Sequence, residues 1–227
     1  YLCCAWVLRR MSASYLGAAV GAYLFAFSLP VIAQLHNHQL LPRFAIPLAF
    51  YFLWRWIETG RLRHWWGVGL AVVWQTYCSL YLGQLLAFIL PLFATSYVAV
   101  SRARVPWRAL AGGNSRAAGL ALASAVAWAA CLLPLAVPYR RAVQDIGYRT
   151  WEDAWPLLPG VRSYLSPAQS SWTWSWLADL PASLPHSFEH RLFIGDIPWL
   201  AVLLAATTIL RRERTQQQCV ALACVIA

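Results

Sequence analysis

The feature that most constrains this chain is a series of long apolar runs that alternate with short, arginine-bearing connections. Because a bilayer core is about 30 Å thick, a helix that spans it needs about 20 predominantly apolar residues. Only 11% of the 227 residues are charged, against roughly 25% in soluble domains. The sequence therefore predicts an all-α, polytopic bundle of transmembrane helices with a long extracytoplasmic loop segment. The predicted spans are residues 13–33, 41–57, 65–83, 85–100, 117–137 and 193–210.

The arginines predict how these spans are oriented. Every second connection carries a cluster of them, at 9–10, 61–63, 102–116 and 211–214. Cytoplasmic loops are enriched in basic residues, so these four connections are predicted to be cytoplasmic and the others not. This topology accounts for the net charge of +10, and we expect no nucleic-acid partner. Four tryptophans around the second cluster are predicted to form an interfacial belt: Trp54, Trp56, Trp65 and Trp66.

The pattern divides the chain into three regions. Residues 1–137 hold transmembrane helices with short loops, residues 138–192 form the extracytoplasmic segment, and residues 193–227 return to the membrane with a truncated last helix. The chain starts and stops inside apolar runs, so we expect an internal fragment of a longer integral membrane protein. Its first partner is the lipid bilayer.

A polar turn on the predicted outer side, "AQLHNHQLLPRF", contains the first candidate binding residues. His36 and His38 alternate, so in an extended turn they face the same way and are able to bind a metal or a phosphate. A merely solvated turn is the simpler alternative. Arg43 is predicted just inside an apolar helix, where charge is costly and tends to be functional or to snorkel to the interface.

The start of the extracytoplasmic segment contains a second arginine group. Arg140 and Arg141, with Arg149, offer guanidinium forks that match phosphate oxygens, although contact with lipid phosphate explains juxtamembrane arginines as well. Trp151 and Trp155 are four residues apart, which predicts a short amphipathic helix on the membrane surface with both indoles on one face.

Further along, "SSWTWSW" places Trp172, Trp174 and Trp176 at every second position. In an extended segment the three indoles share one face, which suits either a sugar ring or a membrane interface. The spacing of His186, Glu189 and His190 fits a metal site on a helix, but Pro185 and the lack of a second ligand cluster argue against it. No metal or other cofactor is predicted.

Two stretches carry a family resemblance. "LHNHQLLPRFAIPLAFYFLWRWIETGRLRHWWGVGLAVVWQTYCSLYLGQLLAF", with Gln75, Ser79 and Tyr81, and "PYRRAVQDIGYRTWEDA" with "SYLSP" resemble the middle of bacterial membrane glycosyltransferases of the GT-C class. The likeness covers roughly residues 30 to 200. It implies transfer of a sugar from a polyprenyl-phosphate carrier to an acceptor on the extracytoplasmic face, at the bacterial inner (cell) membrane.

The resemblance also implies where the residues act. The class carries its catalytic acid in its first outer loop, which precedes this stretch, so no catalytic residue is assigned. The resemblance implies supporting residues near the phosphate of the lipid-linked sugar donor: His36, His38, Arg43, Arg140 and Arg141. Trp172 and Trp174, whose indole faces suit a sugar ring, complete the predicted substrate-binding set. The alternative is a non-enzymatic transporter, flippase-like or assembly protein. A proton- or cation-coupled transporter requires an acidic residue inside its membrane spans. The central spans of this chain contain none, and this favours the transferase.

Overall fold

The structure is a computed structural model that describes residues 1–11, 13–101, 115–147, 150–168, 171–177, 189–207 and 216–226. Within these residues every regular element is helical and no β-strand occurs, which confirms the all-α class. The α-helices are α1 (Leu2–Arg10), α2 (Tyr15–Ala26), α3 (Leu29–Ala33), α4 (Ala45–Thr59), α5 (Leu62–Cys78), α6 (Leu80–Ser101), α7 (Ser115–Ile146), α8 (Trp151–Ala154), α9 (Val161–Tyr164), α10 (Asp196–Thr207) and α11 (Gln216–Ile226).

Three helical stretches of the described chain are long and apolar enough to cross a membrane: Tyr15–Ala33, Leu80–Ser101 and Leu122–Asp145. They correspond to the first, fourth and fifth of the six predicted spans. The helices α4 and α5 contain 15 and 17 residues. At 1.5 Å per residue they reach only about 22 and 25 Å, which is short of a typical hydrocarbon core.

The turn between α4 and α5 coincides with the predicted "ETGRLRH" connection. Gly60 ends α4 in the left-handed region, with φ of 62°, and donates its N–H to the Trp56 carbonyl at 2.8 Å. A residue with a Cβ is disfavoured in this conformation, so glycine suits the position. The two helices pack against each other as a hairpin.

The next reversal lies earlier than the sequence predicted. Helix α5 ends at Cys78 and α6 begins at Leu80, whereas the third predicted span ran on to residue 83. Ser79 is extended, with φ of −160° and ψ of 113°, and its Oγ accepts a hydrogen bond from the Leu82 N–H at 3.3 Å. A serine that caps a helix in this way explains why α6 starts there.

The core lies among α4, α5, α6 and α11, whose inward faces form one buried apolar cluster. Phe93 and Tyr97 of α6 are fully buried within it. The hydroxyl of Tyr97 accepts a hydrogen bond from Trp54 Nε1 at 3.2 Å and donates to Glu58 Oε1 at 2.6 Å. A polar contact thus joins α4 to α6 through an otherwise apolar interface.

Three of the four tryptophans of the predicted interfacial belt pack between helices, and their depth in the membrane stays a prediction. Trp54 and Trp56 are buried. Trp65 Nε1 donates to Ser124 Oγ of α7 at 2.7 Å, and its ring lies 4.9 Å from that of Trp128. Indole N–H groups seek a partner when buried, and those of Trp54 and Trp65 find it in neighbouring helices.

Helix α7 continues past the predicted end of the fifth span. It runs through Pro134 and Pro138 to Ile146, so residues 138–146 of the predicted loop segment are helical. Proline is tolerated in long membrane helices when other groups satisfy the freed carbonyls. Arg140 and Arg141 therefore lie on the last turns of a helix, not in a loop.

Candidate functional site

The polar turn between α3 and α4 is compact. His38–Leu40 form one 3-10 turn, and Asn37 Nδ2 donates to Oε1 of the buried Gln34 at 2.7 Å. His36 and His38 are exposed. The side of the turn facing the protein is thus made by Gln34, and the two histidines lie at its surface.

Arg43 lies two residues before the start of α4 and not inside it, which corrects the sequence-based placement. Its side chain is half-buried. Nε donates to the Leu40 carbonyl at 2.6 Å, and no described residue accepts a hydrogen bond from its terminal nitrogens. Partial burial lowers the pKa of the guanidinium from its usual value, but a guanidinium remains charged at neutral pH. Arg43 therefore presents a fixed cation whose terminal nitrogens no residue of the described ranges engages.

Gln75 of α5 holds the same turn from beneath. It is fully buried, and Nε2 donates to the Pro42 carbonyl at 2.7 Å. The amide orientation is forced, because a flipped amide would set two oxygens against each other. Oε1 is then left without a partner among the described residues. An unsatisfied buried acceptor costs about 1–3 kcal/mol. Apart from the family resemblance, no sequence pattern indicated a role for Gln75.

Arg140 and Arg141 are exposed on the last turns of α7. No hydrogen bond between described residues joins them to the turn that contains Arg43. A common phosphate site built from both arginine groups therefore stays a prediction. Arg149, the third arginine of the predicted anion site, lies outside the described residues.

The segment with alternating tryptophans is not extended, so the shared-face prediction is wrong. A turn leads into a 3-10 helix at Ser175–Leu177. Trp172 is 95% exposed, whereas Trp174 is half-buried, with its ring centroid 5.4 Å from that of Phe193 and 6.1 Å from that of Trp176. Tight turns remove the period of two, and the two predicted sugar-contacting indoles have different surroundings.

A buried serine–histidine pair organises the segment after α7. Ser163 Oγ and His190 Nδ1 are 2.8 Å apart, and His190 Nε2 lies 3.0 Å from the Pro156 carbonyl. A carbonyl only accepts, so Nε2 carries a proton, and in the neutral imidazole Nδ1 then accepts from the Ser163 hydroxyl. Gly160 N–H donates to Ser163 Oγ, and Leu192 N–H donates to the Ser163 carbonyl. We call these contacts the Ser163–His190 network.

The Ser163–His190 network shows what role His190 of the predicted histidine cluster has. Both ring nitrogens of His190 are engaged, and its side chain is buried. His186 lies outside the described residues. His190 therefore serves the packing of the segment, a role that its sequence neighbours did not indicate because Ser163 is distant in the chain.

Two indoles and a carboxylate line an open groove of about 450 Å³ on the same segment: Trp151, Trp155 and Glu152. The indole centroids are 5.6 Å apart with an interplanar angle of 51°, so the predicted pairing of the tryptophans is present. The Glu152 side chain borders the groove. The described residues offer Glu152 no hydrogen-bond donor and no cation.

The helices of the fold indicate the class of protein. The length and apolar composition of three helices indicate a membrane protein, all-helical throughout the described chain. No known protein family, curated protein or solved structure matches the sequence or the fold.

Proposed function

We propose that this chain belongs to an integral membrane glycosyltransferase that takes a sugar from a polyprenyl-phosphate carrier and transfers it to an acceptor on the extracytoplasmic face. The membrane involved is the bacterial inner membrane. The observation that supports the proposal is the state of Arg43, a half-buried guanidinium whose terminal nitrogens donate to no residue in the described part of the chain. It lies on the side of the bundle that the arginine distribution predicts to be extracytoplasmic.

The proposed sugar transfer requires a cation beside the phosphate of the donor. As the sugar leaves its carrier, negative charge develops on the phosphate oxygens, and a fixed guanidinium stabilises that charge better than mobile water does. The hydrogen bond from Nε to the Leu40 carbonyl holds the guanidinium in place. Gln75 fixes the backbone of the turn through the Pro42 carbonyl. Arg43 is thus assigned to the donor phosphate, with His36 and His38 at the surface beside it.

The proposal is tested with the complete protein in membranes supplied with labelled polyprenyl-phosphate sugars. Loss of a charge-assisted hydrogen bond costs about 1.5–3 kcal/mol, so Arg43→Ala should lower transfer roughly ten- to a hundredfold without affecting insertion. Arg63→Ala is the matched control, since Arg63 is exposed at the other end of the α4–α5 hairpin and its loss should leave transfer unchanged.

Two outcomes contradict the proposal at different levels. If Arg43→Ala inserts normally and transfers at the parent rate, Arg43 does not bind the donor phosphate. If the parent protein transfers no sugar from any such carrier, the transferase function itself is wrong. Arg141→Ala, measured in parallel, separates a phosphate contact from a lipid anchor, because only the former lowers transfer.

A further inference from the structure

The groove formed by Trp151, Glu152 and Trp155 is distinct from the turn that contains Arg43 and lies on the segment after α7. The groove is open to solvent and is lined by these three side chains. We propose that it binds a neutral saccharide, with the apolar face of a pyranose ring on one of the indoles and a ring hydroxyl donating to the Glu152 carboxylate.

The indoles provide a platform and not a cage. Their centroids are 5.6 Å apart and their planes are tilted by 51°, which is the geometry of two rings in direct contact. No space remains between them for a cation to be enclosed. Instead the rings present two adjoining faces inclined to each other, with Trp151 66% and Trp155 63% exposed, so a pyranose ring stacks on one of them. The axial C–H groups of a pyranose ring form a matching apolar face.

Glu152 supplies the polar part of the site. An ionised carboxylate only accepts hydrogen bonds, and none of the described residues donates one to it. The neighbouring acid is occupied differently, because Asp153 Oδ2 accepts from the backbone N–H and the hydroxyl of Thr150 at 3.0 and 2.6 Å. This capping box fixes the start of α8, so Glu152 remains as the acceptor for a ligand hydroxyl.

The same charges argue against a membrane-surface role for this helix. Helices that lie on a bilayer carry lysine or arginine on their polar face, which attracts anionic headgroups. Both polar residues of α8 are acidic. A carboxylate that borders the aromatic surface would face the headgroups and be repelled by them, whereas it favours the hydroxyls of a neutral sugar.

The platform also rests on an ordered base. Trp155 begins a 3-10 turn that contains Pro156. The Pro156 carbonyl accepts the hydrogen bond from His190 in the Ser163–His190 network. The capping box holds one end of the aromatic pair, and the Ser163–His190 network holds the other. Preorganised aromatic groups lose little conformational entropy when they bind, which favours recognition of a weakly held ligand such as a sugar.

The inference is tested on the full chain in phosphatidylglycerol nanodiscs, which contain neither glucoside detergent nor choline. The probe is methyl β-D-glucopyranoside, observed by saturation-transfer NMR. The parent should transfer saturation to the axial protons of one ring face. Trp155→Leu should raise Kd about three- to tenfold, and Glu152→Leu about tenfold or more. Trp155→Phe retains a ring and should lose less than Trp155→Leu, which guards against misfolding as the cause.

Trp199→Leu is the matched control, because Trp199 is a partly exposed indole of α10 remote from the groove in the chain, and it should bind as the parent does. Three results would overturn the proposal. They are the absence of saturation transfer in the parent, equal binding by the groove variants and the parent, and binding of tetramethylammonium in place of the sugar. Quenching of these indoles by brominated lipid, without sugar binding, would make them a membrane anchor. None of these measurements depends on transferase activity.

Discussion

Gly69 determines how closely α7 approaches α5, and replacing it tests the packing of the whole bundle. A Cβ built on Gly69 lies 1.7 Å from Cε2 of Trp128 and 2.2 Å from Cδ2 and Nε1. Carbon atoms in contact are about 3.5–4.0 Å apart. In Gly69→Ala the indole must therefore retreat by roughly 2 Å, which removes it from the surface of α5 and from the ring of Trp65.

The magnitude follows from these contacts. Overpacking costs about 1–3 kcal/mol, and the Trp65–Trp128 ring pair contributes a further 0.5–1.5 kcal/mol or so. Against this, alanine is a better helix former than glycine by about 1 kcal/mol. We expect Gly69→Ala to lower the free energy of unfolding by about 1–3 kcal/mol, measured by sodium dodecyl sulfate titration of the protein in mild detergent micelles.

Two further variants make the result decisive. In Gly119→Ala the new Cβ has no atom within 4 Å, so this control should be neutral or stabilised by up to about 1 kcal/mol. In a Trp128→Ala background, Gly69→Ala should lose its cost, because the clashing ring is gone. If Gly69→Ala behaves like Gly119→Ala, or if its cost persists without Trp128, the close contact between α5 and α7 is refuted.

Two other expectations concern the core and the topology. Tyr97→Phe removes the hydroxyl between Trp54 and Glu58 and leaves a buried indole N–H unpaired, so the same titration should show a loss of about 1–3 kcal/mol; an equal loss in a Trp54→Phe background would contradict this cause. Thr173→Cys, at an exposed position of the segment after α7, should react with a membrane-impermeant maleimide from the extracytoplasmic side. Labelling from the cytoplasm alone would invert the predicted orientation.

The sequence predicted the helical class and the α4–α5 turn well, because both depend on local signals. Apolar runs specify helices, and Gly60 occupies the position where a helix ends in the left-handed region. It predicted α5–α6 less well, since the reversal depends on a single serine cap at Ser79 that no proline or polar run marks. The continuation of α7 through Pro138 was missed because a proline usually ends a helix in water.

The candidate site was predicted only where neighbours in sequence are neighbours in space. The Trp151–Trp155 pair follows from a spacing of four on one helix face, and the structure contains it. The alternating indoles at Trp172 and Trp174 failed because alternation implies a shared face only in an extended chain. The Ser163–His190 contact joins residues far apart in sequence, and no local pattern encodes such a pair.

The Ser163–His190 network has a consequence for how the molecule unfolds locally. It closes a loop of the chain, and Leu192 and Phe193 donate their N–H groups to the carbonyls of Ser163 and Ser166 across the same junction. Because these backbone and side-chain bonds share one junction, we expect them to break together, so that this region unfolds as one unit while the α4–α6 core remains intact. Its amide hydrogens should then exchange as one group, at a free energy below that of the core. The aromatic platform would be lost in that opened state and restored on closure.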